Sequence, residues 1–377
     1  MGCLPRCIVW LAVASLLLLA AFYGSGPRST PGPTASASAF SMYSPRERFG
    51  IGFVPEVWDG DTPVPQSLDD YDLAALKVGW YLDWRFHAAP PQPRDVSLEC
   101  AQMISVHPDA WPPDWSAIRR AAELNPGSTW IIGNEPESVL QDNCTPTEYA
   151  RAYHEAYRRI KGYDRAAQMA IGAVVLPTPL RRRWLEEAMR AHRALYAQKM
   201  PVDVWNIHVH IIDEKEDGGA GIPRGILAQP GEARHYTPQD CANARIFVSL
   251  VQEFRAWMAH QGERNKPLII SEFGVLLPSD MVSGLGEGAE RTEIGDKLVE
   301  EFMVRTFDWL LQARSERIGC PRDENRLVQR WAWYSLNDSF YDDDTGKGFN
   351  GSLCDHRDRS LTRFGRTFAA YRARPTD

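Results

Sequence analysis

The segment Thr129-Trp130-Ile131-Ile132-Gly133-Asn134-Glu135-Pro136-Glu137 is an apolar run that ends in two acids. Its run is continuous rather than alternating, the pattern of a parallel strand covered on both faces. Pro267-Leu268-Ile269-Ile270-Ser271-Glu272-Phe273-Gly274 reads the same way. Working outward, similar runs occur at Arg48–Val54, Lys77–Trp84, Ala101–Val106, Met169–Leu176, Val202–His208 and Arg330–Ser335. With Thr129–Asn134 and Pro267–Glu272 they make eight candidate strands.

Amphipathic stretches lie between them. Asp114–Leu124 stops at Asn125-Pro126-Gly127, a helix-ending signal. Thr147–Lys161 follows Thr145-Pro146, with Thr145 as N-cap and Glu148 completing a capping box. Leu180–Gln198, a stretch from Thr237-Pro238 to about Gln261, Glu293–Ala313 and Thr362–Tyr371 are the other expected helices. The crossover around Ala88–Arg94 carries Pro90, Pro91 and Pro93 and no helical period. Strands alternating with helices predict a single (β/α)8 TIM barrel. The competing fold, an open doubly wound sheet, usually carries a glycine-rich phosphate loop after its first strand. Here Gly50-Ile51-Gly52 runs into Phe53-Val54-Pro55 instead.

The chain has 377 residues, a net charge of −7 and 44% hydrophobic residues. That apolar content is enough for a large core. The acidic balance argues against a nucleic-acid partner, which calls for a basic patch. Thirteen Trp, 13 Tyr and 14 Phe fit a protein that handles sugars. Arg6 precedes the apolar run Ile8–Tyr23, so residues 1–24 read as a signal peptide or an N-terminal membrane anchor. Residues 25–45 read as a disordered Pro/Ser/Gly-rich linker and residues 46–377 as the (β/α)8 domain. The expected location is extracellular, or membrane-anchored and facing outside, and a monomer is expected. Five cysteines follow the leader: Cys100, Cys144, Cys241, Cys320 and Cys354. Cys320 and Cys354 flank the last strand, so they either pair across it or stay free. Asn143, Asn337 and Asn350 head glycosylation sequons.

Chemistry in such a barrel sits at the C-terminal ends of the strands. Glu135 ends the fourth strand and Glu272 the seventh. A strand-end Glu is costly to bury unless it is paired or employed. Two carboxylates about 5–5.5 Å apart equip a retaining glycosidase, one as acid/base and one as nucleophile.

Gly133-Asn134-Glu135-Pro136 and Ser271-Glu272-Phe273-Gly274 resemble the signature of the clan A glycoside hydrolases. With Gly79-Trp80-Tyr81-Leu82-Asp83-Trp84 on the second strand, they are similar to the "glycosyl hydrolase catalytic core" proteins, which include endo-β-1,3-glucanases. The resemblance implies a β-linked polysaccharide or oligosaccharide substrate and no cofactor. It makes Glu135 the acid/base, Glu272 the nucleophile and Asn134 the partner of the sugar 2-hydroxyl. Many clan members carry a His-x-Tyr where this chain has His208-Val209-His210, and an Arg on strand two where Arg85 follows Trp84. Which residue hydrogen-bonds Glu272 is therefore open.

Alternatives stand beside these readings. Glu137 competes for the acid role. His208 and His210 share one face of a strand and would contact nucleophile or substrate, pack as core histidines, or join Asp213 around a metal. Trp333 and Trp84 are candidate sugar platforms, with Trp80 and Trp205 as lesser ones. Tyr341–Gly348 reads as a solvated loop with some likeness to a calcium loop. Arg181–Arg183 reads as a solvated face, and the insertions Gly218–Arg234 and Ser279–Glu290 as cleft-shaping loops. A barrel that binds carbohydrate without cutting it is the alternative to the enzyme.

Overall fold

The continuous apolar runs do form strands buried on both sides. The computed structural model describes residues 41–375, apart from 60, 61, 339, 340, 343–346 and 350. The barrel strands are β1 (Phe49–Gly52), β2 (Trp80–Leu82), β3 in two pieces (Glu99–Cys100 and Gln102–Ile104), β4 (Thr129–Asn134), β5 (Gln168–Ala173), β6 (Trp205–Val209), β7 (Leu268–Phe273) and β8 (Arg330–Trp333). All eight expected strands are present. Each pairs in parallel with its neighbours, for example Tyr81 with Cys100, Met103 with Ile131 and Trp130 with Met169. β5 meets β6 through the bridges Ala170–Val204 and Val174–Ile207. β8 returns to β1 with Trp331 opposite Phe49, which closes the ring. A closed ring excludes the open doubly wound sheet.

Side chains alternate across this ring because successive strand residues point to opposite faces. Trp80, Leu82, Ala101, Met103, Ile131, Ala170, Val204, Ile269 and Ala332 form the inner cluster. Tyr81, Ile132, Ile171, Ile207, Ile270 and Trp331 face the surrounding helices. Gly50 is required by the inner packing: a Cβ there would lie 2.3 Å from the Trp80 ring.

The helices are α1 (Leu73–Leu76), α2 (Trp115–Leu124), α3 (Pro146–Tyr163), α4 (Pro179–Tyr196), α5 (Ala244–His260), α6 (Ser279–Ser283), α7 (Gly288–Gln312) and α8 (Arg363–Arg372). Asp114 caps α2, and Thr145 with Glu148 forms the expected capping box on α3. The proline-bearing crossover after β2 has no helix, as expected. The stretch opened by Thr237 starts as a 3-10 turn, Pro238–Ala242, before α5 begins. Part of the presumed loop after β7 is helical, since α6 and the start of α7 lie within it. A hairpin not foreseen from the sequence, Glu56–Asp59 against Thr62–Pro65, rises beyond β1.

Several expectations are corrected. Trp333 is fully buried among Phe273, Phe302 and Phe307, and its Nε1–H donates to the Gly351 carbonyl, so it faces the helices and cannot stack on a sugar. Trp205 packs against Phe254 and Trp257, and Trp80 fills the barrel interior. Arg181 belongs to no solvated face: it is fully buried. All five described cysteines are free thiols. Cys320 bonds to Arg326 before β8 and Cys354 to Leu336 after it. The strand thus lies between them, and a disulfide needs Cα atoms within about 7 Å. Asn337 is buried, with its amide bonded to both the N–H and the carbonyl of Val54, so its sequon is closed to modification. The leader, most of the linker, Asn350 and the middle of Tyr341–Gly348 lie outside the described residues. No described helix is long and apolar enough to cross a membrane.

Two stability changes follow. Trp333→Ala is expected to cost about 3–5 kcal/mol through the cavity it leaves, read by urea unfolding. Arg181→Met leaves two buried carboxylates without their cation and is expected to cost about 3–5 kcal/mol, read the same way.

Candidate functional site

At the mouth of the barrel the end of β4 bends sharply. Gly133 (φ +96°) and Glu135 (φ +42°) both take the left-handed conformation, which non-glycine residues adopt only when the surroundings hold them there. Asp142 supplies much of that hold. Its carboxylate accepts from Asn134 N–H at 2.7 Å, Val106 N–H at 3.0 Å and Ser105 Oγ at 2.6 Å.

A second brace lies beneath. The Arg181 guanidinium donates to Glu137 Oε1 at 2.6 Å and to Glu214 Oε1 at 2.9 Å. It also donates to the carbonyls of Ala220 and Gly221. Glu137 in turn accepts from Val175 N–H at 2.9 Å. The loops beyond β4, β5 and β6 are thereby tied to one buried cation. Glu137 is occupied by this brace and does not compete with Glu135.

Above the brace, Glu135 and Glu272 converge. They are 8% and 5% exposed. Glu135, His208, His210 and Glu272 each place one donor atom within 4.8 Å of the others. His208 lies between the carboxylates, its Nδ1 2.9 Å from Glu135 Oε1 and its Nε2 3.3 Å from Glu272 Oε1. Nε2 also meets Ser271 Oγ at 3.0 Å. His210 Nε2 stands 3.4 Å from Glu272 Oε2. The two histidines reach one site because they are two apart on β6. Trp84 Nε1–H donates to Glu272 Oε1 at 2.6 Å. Glu272 is thus hydrogen-bonded by Trp84 and, at a longer distance, by His210, with His208 beside them. Arg85 is exposed.

Asn134 is half-buried next to Glu135. Its Nδ2 donates to Gln141 at 3.2 Å, while its Oδ1 is buried without a protein partner. Asp213 is turned away from the histidines, bonding His235 Nδ1 at 3.0 Å and Tyr236 N–H at 3.3 Å. The metal trio read from the sequence does not assemble. Among the described residues, the donor sets close enough to hold a cation are the Glu135–His208–His210–Glu272 group and Asp83–His87–Cys100.

Burial sets the proton affinities. It pushes Glu135 up to about 7, helped by the neighbouring Glu272 charge. Burial also raises Glu272, but His208 and the Trp84 N–H oppose that rise. Both imidazoles are pushed down to about 4 by burial and are neutral near neutral pH. Such an arrangement keeps one carboxyl protonated beside an ionised one.

Sequence reasoning missed Ser271, Asp142 and the Arg181–Glu214 pair. Ser271 precedes Glu272 directly, and that adjacency was the available signal. The others depend on loop paths that no local pattern encodes.

Residues 57–218 match the family described as "Glycosyl hydrolase catalytic core". Among curated proteins none matches the chain. Among solved structures the fold is similar to a GH128 subgroup II endo-β-1,3-glucanase from Pseudomonas viridiflava, at 16% identity, covering 86% of this chain and 97% of that one, with a TM-score of 0.52. The subgroup II endo-β-1,3-glucanase from Sorangium cellulosum is 16% identical, with 86% and 98% covered and a TM-score of 0.51. A mutant subgroup I endo-β-1,3-glucanase from Amycolatopsis mediterranei in complex with laminaripentaose is 14% identical, with 86% and 99% covered and a TM-score of 0.50. At these identities the likeness is one of fold. The match over residues 57–218, less than half of the chain, and the closed barrel of eight parallel strands together support a glycoside hydrolase.

Proposed function

We propose that the chain hydrolyses β-1,3-glucan with retention of configuration, Glu272 acting as nucleophile and Glu135 as acid/base. The observation that carries this reading is the buried pair itself, two strand-end carboxylates with donor atoms within 4.8 Å. So close an approach fits retaining enzymes, whose carboxyls stand about 5–5.5 Å apart, better than inverting ones, which hold theirs about 6.5–9.5 Å apart to admit a water. The substrate class is supported by the glucanases that share the fold. The apolar stretch Ile8–Tyr23 supports export or anchoring outside the cell, where such polymers lie.

In the resting site Glu135 holds the proton. With Glu135 protonated, its O–H donates to His208 Nδ1, and His208 Nε2–H then points to Glu272 Oε1 and Ser271 Oγ. This tautomer leaves Glu272 an ionised acceptor surrounded by donors. Glu272 attacks the anomeric carbon while Glu135 passes its proton to the departing oxygen. Glu135, now a carboxylate, takes a proton from water, and that water releases the sugar from Glu272. Asn134, next to the acid in the chain, is the proposed partner of the 2-hydroxyl.

Glu135→Gln is expected to lower hydrolysis of β-1,3-glucan by about 10²–10⁴-fold, the usual reach of general acid catalysis. Glu272→Gln removes the covalent route and is expected to abolish turnover. Product anomers followed by NMR should keep the β configuration. Inverted product, or a folded variant with near wild-type rate, sinks the assignment. Wild-type binding without cleavage would instead favour the non-catalytic barrel.

The pH profile of kcat/KM gives an independent check. Glu135 works as an acid only while protonated, so activity should fall as pH rises through about 7. The acidic limb reports ionisation of Glu272. An activity that keeps rising above pH 8 contradicts the assigned acid.

A further inference from the structure

We propose that Trp84 is a positioning residue for the nucleophile: its indole N–H, 2.6 Å from Glu272 Oε1, orients that carboxylate and stabilises its ionised form. The proposal rests on Glu272 being the nucleophile. A hydrogen bond to a charged acceptor in a buried site is worth roughly twice a neutral one. Here it matters more than usual, because among the described residues no Lys or Arg forms an ion pair with Glu272. The carboxylate is held by neutral donors: the indole, His208 Nε2 at 3.3 Å and His210 Nε2 at 3.4 Å.

The backbone is arranged for this contact. Trp84 has φ +58°, a left-handed conformation that a bulky residue adopts only under constraint. The turn that imposes it is tied on both sides. Asp83 bonds His87 Nε2 at 2.7 Å and accepts Arg85 N–H at 3.2 Å. His87 N–H donates to Gln102 Oε1 at 2.6 Å. The ring has little freedom either. Tyr334 meets it edge-on at 5.8 Å, and a Cβ on Gly52 would come within 3.1 Å of it. A platform for a sugar needs an accessible face, whereas this ring is oriented by its N–H.

The groups that share the space around Glu272 are Glu135 from β4, His208 and His210 from β6, Ser271 beside it on β7, and Tyr334 and Asp338 from beyond β8. Tyr334 donates its hydroxyl to Asp338 at 2.7 Å. Apart from Trp84, the described donors to Glu272 are imidazoles, so the indole is the one whose donation does not depend on a tautomer or a titration.

The test is Trp84→Phe, which keeps an aromatic ring and removes the donor. A charge-assisted hydrogen bond of the usual strength predicts a fall in kcat of about 10- to 100-fold. The acidic limb of the pH profile should move up by about one to two pH units, with KM for β-1,3-glucan little changed. If KM rises while kcat and the acidic limb stay put, Trp84 is a sugar platform and the proposal is wrong. A second measurement does not need an active variant. In the 15N-labelled wild-type chain the Trp84 indole proton, assigned by its absence in Trp84→Phe, should resonate far downfield and move upfield in Glu272→Gln. Should Trp84→Phe fail to fold, the same proton is assigned by that shift. No indole signal responding to Glu272→Gln overturns the contact. If wild type cleaves no β-glucan, the substrate reading fails by itself while the indole signal still decides the contact.

Discussion

Two carboxylates held within 4.8 Å in a buried site are the constraint on which the rest of the molecule depends. In water such a pair would simply ionise. Out of water, both cannot carry charge at once, and one proton must remain. The neighbours decide where it stays. Glu135 has a single imidazole nitrogen at hand, whereas Glu272 has an indole N–H and two imidazole nitrogens. Burial acts on both alike, so the asymmetry of donors separates their proton affinities. Neutral histidines keep the proton on the pair, because a protonated one would compensate both carboxylate charges and let that proton go.

The barrel supplies the geometry through the ends of strands, and the braces beneath make those ends stay. Asp142 holds the β4 turn by three hydrogen bonds, and Arg181 ties the loops after β4, β5 and β6 to a shared cation. A buried ion pair of this kind is weak evidence for net stability, since desolvation offsets most of the attraction. Its effect here is position: the Arg181 guanidinium engages both Glu137 and Glu214 and so ties the loop carrying Glu135 to its neighbours.

Much of the fold was legible because a strand buried on both faces must be apolar throughout, and a helix start must cap its free N–H groups. Ile131 and Ile132 are the first kind of signal, Thr145 with Glu148 the second. The candidate pair Glu135 and Glu272 was legible for the complementary reason that charge is rare at the end of such a run. The aromatic residues were misread where periodicity alone was available. Trp333 alternates out of the barrel to the helices, and Trp80 alternates in, and neither direction reaches a ligand. Trp84 escapes the alternation only because its backbone turns left-handed, a feature that no spacing rule anticipates. Arg181 was misread because a run of three arginines resembles a solvated face until a buried acid is found beside it.

The left-handed residues also place a cost at the candidate site. Glu135 at φ +42° and Trp84 at φ +58° stand at the ends of different strands, and each side chain reaches the same imidazole-bridged group. Backbone strain of this type amounts to about 1–3 kcal/mol per residue. It persists because relaxing either turn would withdraw a hydrogen-bonding group from a buried carboxylate, which is costlier still. Strain and buried charge therefore hold each other in place: the turns aim the side chains at the site, and the charge at the site keeps the turns from relaxing. Stability lost at the two turns is offset in the packed core below, where Trp80, Met103 and Ile131 fill the barrel.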